Sequence, residues 1–173
     1  MKNYKQLLKN IDTFIFDYDG VLTDGTVITL ADGEQLRVGY VKDGYAIQHA
    51  LKNNYRIVII SGGTSEAMFK RCQALGITDI FFSIKDKQKL VGEFMVENKI
   101  AKEKVIFMGD DIPDYKAMLD VGLPVCPADA CQEIKSISKY ISAYNGGKGC
   151  VRDIIEQVMK IQEKWMIDNA FYW

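Results

Sequence analysis

The sequence predicts an α/β fold: a Rossmann-like parallel sheet with helices on both faces. Three observations carry this. Short apolar runs recur along the chain, amphipathic stretches of helical length lie between them, and the connections are short. A parallel sheet needs such crossovers, and strands buried on both faces read as unbroken apolar runs. At 173 residues the chain fits one domain, 1–173, because a single core is the usual solution at this length.

The first strand is expected at Thr13–Phe16, followed by strands at Ile57–Ile60, Ile80–Phe82 and Val105–Met108, and a weaker one at Leu123–Cys126. Helices are expected at about Tyr45–Asn53, Thr64–Leu75, Lys87–Asn98 and Ile112–Val121, with Gly76 and Gly122 as terminators. A closing helix over Val151–Asp168 follows from the apolar spacing of Val151, Ile154, Ile155, Val158, Ile161 and Trp165. One segment breaks the alternation. Gly25–Val41 carries two β-prone stretches, Thr26–Leu30 and Gln35–Val41, around an Asp32-Gly33 turn signal, and reads as a β-hairpin inserted after the first strand.

Composition narrows the function classes. Lys and Arg total 22 against 23 Asp and Glu, a formal charge of −1, so the positive excess that nucleic-acid binding requires is missing. No run approaches the ~20 apolar residues of a membrane span, and Met1–Asn10 is polar and lysine-rich, so the chain is expected to be cytoplasmic. Cys72, Cys126, Cys131 and Cys150 lack the short paired spacing of a zinc or redox motif and read as reduced, mostly buried thiols. His49, the only histidine, lies on a helix and reads as structural.

In an open parallel sheet the ligand crevice lies beyond the carboxyl ends of the strands. Four strand ends carry reactive groups: Asp17 and Asp19; Ser61-Gly62-Gly63; Asp86-Lys87; and Gly109-Asp110-Asp111-Ile112-Pro113-Asp114. Converging carboxylates repel one another and an anionic substrate unless a cation joins them. Asp17 and Asp110 offer hard oxygen ligands to Mg²⁺, which also takes a phosphate oxygen. Ser61 can offer its hydroxyl, and the amides of Gly62 and Gly63, read as the start of a helix, can close around phosphate oxygens. Lys87 in the first turn of a helix opposes the helix dipole, and a local rule broken at the crevice points to function. Asp114 has a bland reading as a first-turn acid, and Lys42 and Lys148 as solvated lysines.

These residues resemble the haloacid dehalogenase superfamily, and within it the capless branch that includes 3-deoxy-D-manno-octulosonate 8-phosphate phosphatases. The resemblance spans Asp17-Tyr18-Asp19-Gly20-Val21-Leu22-Thr23-Asp24-Gly25, Lys42-Asp43-Gly44, Gly109-Asp110-Asp111 with Asp114, Val121-Gly122-Leu123 and Asn145-Gly146-Gly147-Lys148-Gly149. It implies a phosphomonoester hydrolase acting on a sugar-acid phosphate. Asp17 would be the nucleophile and Asp19 the general acid and then base, while Mg²⁺ would sit on Asp17, the Asp19 carbonyl and Asp110, with Asp111 and Asp114 supporting. Ser61, Gly62, Gly63 and Lys87 would hold the phosphate, and Lys42 and Lys148 the rest of the substrate.

The resemblance also implies no separate cap domain and a homotetramer whose hairpins and C-terminal segments cover neighbouring active sites. Lys148 would reach an adjoining subunit's substrate, and Trp165 with Phe171-Tyr172-Trp173 would pack at an interface. Two positions depart from the pattern: Ser61-Gly62-Gly63 stands where Thr-Gly-Arg is common, and Lys42-Asp43-Gly44 where Arg-Asp-Gly is common. A lost arginine removes a planar fork suited to a carboxylate, so a nonulosonate 9-phosphate remains an alternative substrate. Other classes stay open. A receiver-type signalling domain would need no second acid at Asp19, a non-catalytic assembly module would need no intact acids, and a phosphomutase would call for a cap.

Overall fold

The computed structural model describes residues 4–172, so Met1–Asn3 and Trp173 lie outside the described residues. Six parallel strands form one sheet in the order β5-β4-β1-β6-β7-β8, where β8 is the edge strand Tyr140–Ile141. The strands expected at Thr13–Phe16 (β1), Val105–Met108 (β6) and Leu123–Cys126 (β7) have those limits, while β4 spans Arg56–Ile60 and β5 Asp79–Phe81. Alternate residues of each central strand feed two cores. Phe14, Phe16, Ile57, Ile59, Ile106 and Met108 pack on one face, and Ile15, Val58, Ile60, Val105 and Phe107 on the other. The first core receives Ala46 and Ile47 of α2 (Val41–Lys52), Met68 and Cys72 of α3 (Glu66–Ala74), and Ile154 and Val158 of α7 (Cys150–Ile161). The second receives Val91 and Phe94 of α4 (Lys87–Glu97), Met118 of α5 (Tyr115–Leu119) and Ile134 of α6 (Gln132–Ile137).

Several expected elements change. The long helix at 112–121 is a 3₁₀ turn, Ile112–Asp114, followed by the short α5, because Pro113 and the Asp111 side chain, which accepts from the Ile112 amide at 2.8 Å, set a tight start. The closing helix stops at Ile161 rather than Asp168. Glu163 takes a left-handed φ of 58° and the Lys164 amide returns to the Met159 carbonyl at 2.7 Å. Of the hairpin's second stretch only Val41 passes into α2, and the paired strands shrink to Ile28–Thr29 (β2) and Gln35–Leu36 (β3), with a further bridge between Thr23 and Gly39. The chain adds an opening turn of helix, α1 (Tyr4–Leu7), an edge strand β8 (Tyr140–Ile141), and α6, none of which the periodicity signals.

Trp165 is turned inward rather than outward to an interface. It stacks edge-on to His49 and Tyr45, lies under the Arg152 guanidinium, and its carbonyl meets His49 Nε2 at 2.9 Å. Histidine 49 is thus structural, as expected. The four thiols are unpaired and all but Cys131 are buried. Among the described residues no helix is long and apolar enough to cross a membrane.

Candidate active site

Strand β1 lies between β4 and β6, so the chain departs from it in one direction through β4 and β5 and returns beside it at β6. That reversal opens a crevice at the carboxyl ends of β1, β4 and β6. A cleft of about 330 Å³ lies there, lined by Asp17, Asp19, Ser61, Gly62, Gly63, Lys87, Asp110, Asp111 and Asp114 among others. Each of the four strand ends singled out in the sequence therefore contributes to one place, although Asp86, Gly109 and Ile112 do not line it.

Asp17 leaves β1 in extended conformation, and its Oδ1 accepts from the Tyr18 amide at 2.7 Å and from Lys87 Nζ at 2.9 Å. Lys87 opens α4 and is buried. The adverse position in the helix field is offset by the Asp86 side chain, which accepts from the Lys89 amide, and by two carboxylates, since Lys87 also meets Asp114 Oδ1 at 2.6 Å. Asp114 is fully buried and its second oxygen accepts from the Asp110 amide at 3.1 Å, so both of its oxygens are engaged in holding Lys87 and the Asp110 backbone. Asp114 is therefore not the solvated first-turn acid of the simpler reading, since its carboxylate is tied to Lys87 and to the Asp110 amide.

Asp110 is held differently. Its Oδ1 is buried with no hydrogen-bond partner among the described residues, and a side chain on Gly20 would run into its Oδ2 at 2.0 Å. Gly20 also has a φ of 83°, so both space and backbone demand glycine there. Carboxylate oxygens of Asp17, Asp110 and Asp114 lie within 4.8 Å of one another. Three carboxylates around one ammonium leave an excess of two negative charges. That excess and the orphaned Asp110 oxygen fit a hard divalent cation, which prefers carboxylate oxygens.

The same imbalance shows in the proton affinities. Burial, then the Asp114 carboxylate, push the Asp17 carboxyl up to about 7 against the pull of Lys87 and the Tyr18 amide. Burial, followed by Asp17, Asp114 and Asp111, push Asp110 up to about 8. Burial works to lower the Lys87 value, but Asp17 and Asp114 outweigh it and hold it above its ordinary value.

The remaining residues differ from expectation in detail. Gly62 and Gly63 do not start a helix: α3 begins at Glu66, capped by Ser65, whose hydroxyl accepts from the Met68 amide at 3.1 Å. The two glycines instead form a loop, in which the buried Ser61 hydroxyl accepts from the Gly63 amide at 3.1 Å. Lys42 and Lys148 do not join the crevice within the chain. They line a separate polar cleft of about 430 Å³ with Tyr144, Arg152 and Glu156, and Lys148 pairs with Asp24 at 3.2 Å. Asp43 stands in the Lys42-Asp43-Gly44 motif. It is buried under the amino end of α7, where its Oδ1 accepts from the Arg152 amide at 2.7 Å. Sequence reasoning missed Arg37, whose Nε lies 2.7 Å from Asp19 Oδ1. The available signal was a basic residue in the hairpin strand nearest the first strand's end.

Comparison with known proteins agrees with this geometry. Residues 75–154 match the haloacid dehalogenase-like hydrolase family. Over 162 residues the chain is 35% identical to the 3-deoxy-D-manno-octulosonate 8-phosphate phosphatase KdsC of Escherichia coli K12, covering 94% of this chain and 85% of that one. The crystal structure of the Yersinia pestis phosphatase of the same name is similar, with a TM-score of 0.91 at 31% identity over 94% of this chain and 88% of that one. The Moraxella catarrhalis phosphatase, solved with a magnesium ion, a phosphate ion and KDO, gives a TM-score of 0.90 at 31% identity and 94% coverage of both chains. The chain is a phosphatase and belongs to the family of 3-deoxy-D-manno-octulosonate 8-phosphate phosphatases, within the haloacid dehalogenase-like hydrolases.

Proposed function

We propose that this phosphatase hydrolyses 3-deoxy-D-manno-octulosonate 8-phosphate through an aspartyl-phosphate on Asp17, with Mg²⁺ held by Asp17, the Asp19 carbonyl and Asp110. The observation that carries the reading is the cluster of three carboxylates about the single Lys87 ammonium, with one Asp110 oxygen buried and unpartnered. The magnesium ion bound by the similar Moraxella phosphatase supports the choice of metal, and its bound KDO the choice of sugar. When bound, the ion neutralises the excess carboxylate charge and the charge of the phosphate.

The chain's own groups divide the chemistry between them. The Tyr18 amide and Lys87 fix Asp17 Oδ1, leaving Oδ2 to attack phosphorus. The bond from phosphorus to the sugar oxygen breaks as Asp19 gives that oxygen its proton. Asp19 then takes a proton from water as the water attacks phosphorus, which releases inorganic phosphate and restores the Asp17 carboxylate. Lys87, Ser61 and the Gly62-Gly63 loop surround the phosphate oxygens, and Asp111 and Asp114 hold their neighbours in place. The same reading makes the functional particle a homotetramer, with hairpins and C-terminal segments placed over neighbouring crevices and Lys42 and Lys148 facing the sugar of an adjoining subunit.

The test is phosphate release from 3-deoxy-octulosonate 8-phosphate, nonulosonate 9-phosphates and hexose phosphates, with Mg²⁺ and with chelator. We expect selective, Mg²⁺-dependent turnover of the octulosonate and a loss of at least ~10³-fold in Asp17→Asn, which keeps the shape but not the nucleophile. Undiminished turnover in that variant would remove Asp17 from its role. A preference for a nonulosonate would move the substrate, not the mechanism.

A further inference from the structure

The proton donor of such a site must hold one carboxyl oxygen on the departing oxygen, and misplacement by ~1 Å can cost about 100-fold. Asp19 has little to fix it from its own turn. The Thr23 hydroxyl stands 3.5 Å from its Oδ1, at the limit of a hydrogen bond, and the side chain is about one-third exposed. The firm contact comes from the hairpin, where Arg37 Nε donates to Asp19 Oδ1 at 2.7 Å.

That arginine is unusual for its surroundings. Its neighbours Gln35, Leu36, Val38 and Gly39 are exposed, yet its side chain is only 7% accessible. Burying so long a side chain sacrifices rotamer freedom, and nothing about the ribbon's own closure requires it, since the Thr23–Gly39 bridge already fixes the base. Among the described residues the terminal nitrogens of the guanidinium have only distant hydrogen-bond partners, the Gln35 carbonyl at 3.5 Å and its side-chain oxygen at 3.4 Å. The ion pair with Asp19 is therefore the contact that orders the side chain.

The opposite wall completes the arrangement. A Cβ placed on Gly63 would stand 3.3 Å from Asp19 Oδ2, 3.5 Å from Arg37 Nη2 and 3.6 Å from Ser61 Oγ. With Oδ1 tethered to Arg37, the free oxygen of Asp19 thus faces the Ser61-Gly62-Gly63 wall of the cleft, and the absent side chain at position 63 leaves room for the pair. We propose that Arg37 is a positioning residue for proton transfer: the hairpin carries it into its own chain's crevice, where its donation to Oδ1 leaves Oδ2 as the oxygen that bears the proton and gives it to the leaving oxygen, the guanidinium then pairing with the carboxylate left behind. This rests on the reading of Asp19 as the proton donor.

The experiment compares kcat/KM for two phosphate esters in the wild type, Arg37→Ala and Arg37→Lys, each in the full chain with Mg²⁺. An alkyl ester, 3-deoxy-octulosonate 8-phosphate, needs its leaving oxygen protonated; p-nitrophenyl phosphate releases a stable nitrophenolate without help. Because kcat/KM reports events up to the loss of the leaving group, we expect Arg37→Ala to fall about 30- to 100-fold on the sugar ester and less than about threefold on the aryl ester. Arg37→Lys keeps the charge but not the fork, and should lose less than about tenfold on the sugar ester. Equal losses on both esters, or none on either, with wild-type turnover intact, would overturn the role of Arg37 alone. A wild type that releases phosphate from the aryl ester but from neither this sugar ester nor a nonulosonate 9-phosphate would overturn the reading of Asp19 as the donor to a sugar oxygen, and this inference with it.

Discussion

Lys87 is one cation among the carboxylates of Asp17, Asp114 and Asp110, so without a divalent cation the site would carry charge it cannot balance. The sign of the pH dependence follows. Asp17 and Asp110 have an ordinary value of 3.8 but sit at about 7 and about 8 in the folded chain, so between these limits the folded state keeps protons that the unfolded state has released. Stability from this source is complete below pH ~4 and is lost as pH rises through ~7–8. Thermal melts in chelator should show the melting temperature falling from pH 6 to pH 9, and millimolar Mg²⁺ should restore it most strongly at the alkaline end. A Mg²⁺ effect equal at pH 5 and pH 8 would contradict the carboxylates as ligands. At this scale the site was legible wherever a reactive residue followed an apolar strand, as Asp17, Ser61 and Asp110 do. Arg37 was not, because it meets Asp19 across 18 positions of chain through a hairpin whose docking no local pattern encodes.

At the scale of elements, Asp43 of the motif Lys42-Asp43-Gly44 makes a helix-to-helix joint, while Lys42 lines the separate polar cleft. Asp43 projects from α2 into the amino end of α7, where the chain arrives through a left-handed Gly149 that supplies no capping side chain. Burial pushes its carboxyl up to about 6, and the Arg152 and Gly149 amides work against that rise, as a carboxylate at a helix amino terminus should allow. Asp43→Ala strands those buried amides at a cost of about 1–3 kcal/mol, which lowers the melting temperature by roughly 3–8 °C. Asp43→Asn keeps an acceptor without a buried charge and should lose less than half as much; calorimetry of the two variants checks the order. Asparagine as harmful as alanine would assign the contribution to charge instead of to the hydrogen bond. The main strands and crossover helices were readable because each buries an apolar run or stripe. Edge strand β8 was not, since two residues, Tyr140 and Ile141, carry no periodicity, and α6 is too short to show one.

For the whole molecule the open question is what covers the hairpin. Its paired strands are two residues each, and a ribbon of that size is marginal in water on its own. Yet it exposes Val27, Ile28, Leu30, Leu36 and Val38, the last at 58%. Apolar side chains on an exposed ribbon are a liability in an isolated chain and an asset in an assembly, because burying them against another subunit recovers about 25 cal/mol per Å² of apolar area. The ribbon also carries Arg37 into the crevice, so its placement and the geometry of Asp19 are linked. For the proposed homotetramer, light scattering should return four times the 19.6 kDa chain mass. Ile28→Asp with Val38→Asp should dissociate the particle and lower turnover of the sugar ester at least ~10-fold, because a charge buried at such a contact finds no partner and the loosened ribbon no longer holds Asp19. A monomer with full turnover at micromolar concentration would show instead that the Thr23–Gly39 bridge and the Arg37–Asp19 ion pair suffice to hold the hairpin in place.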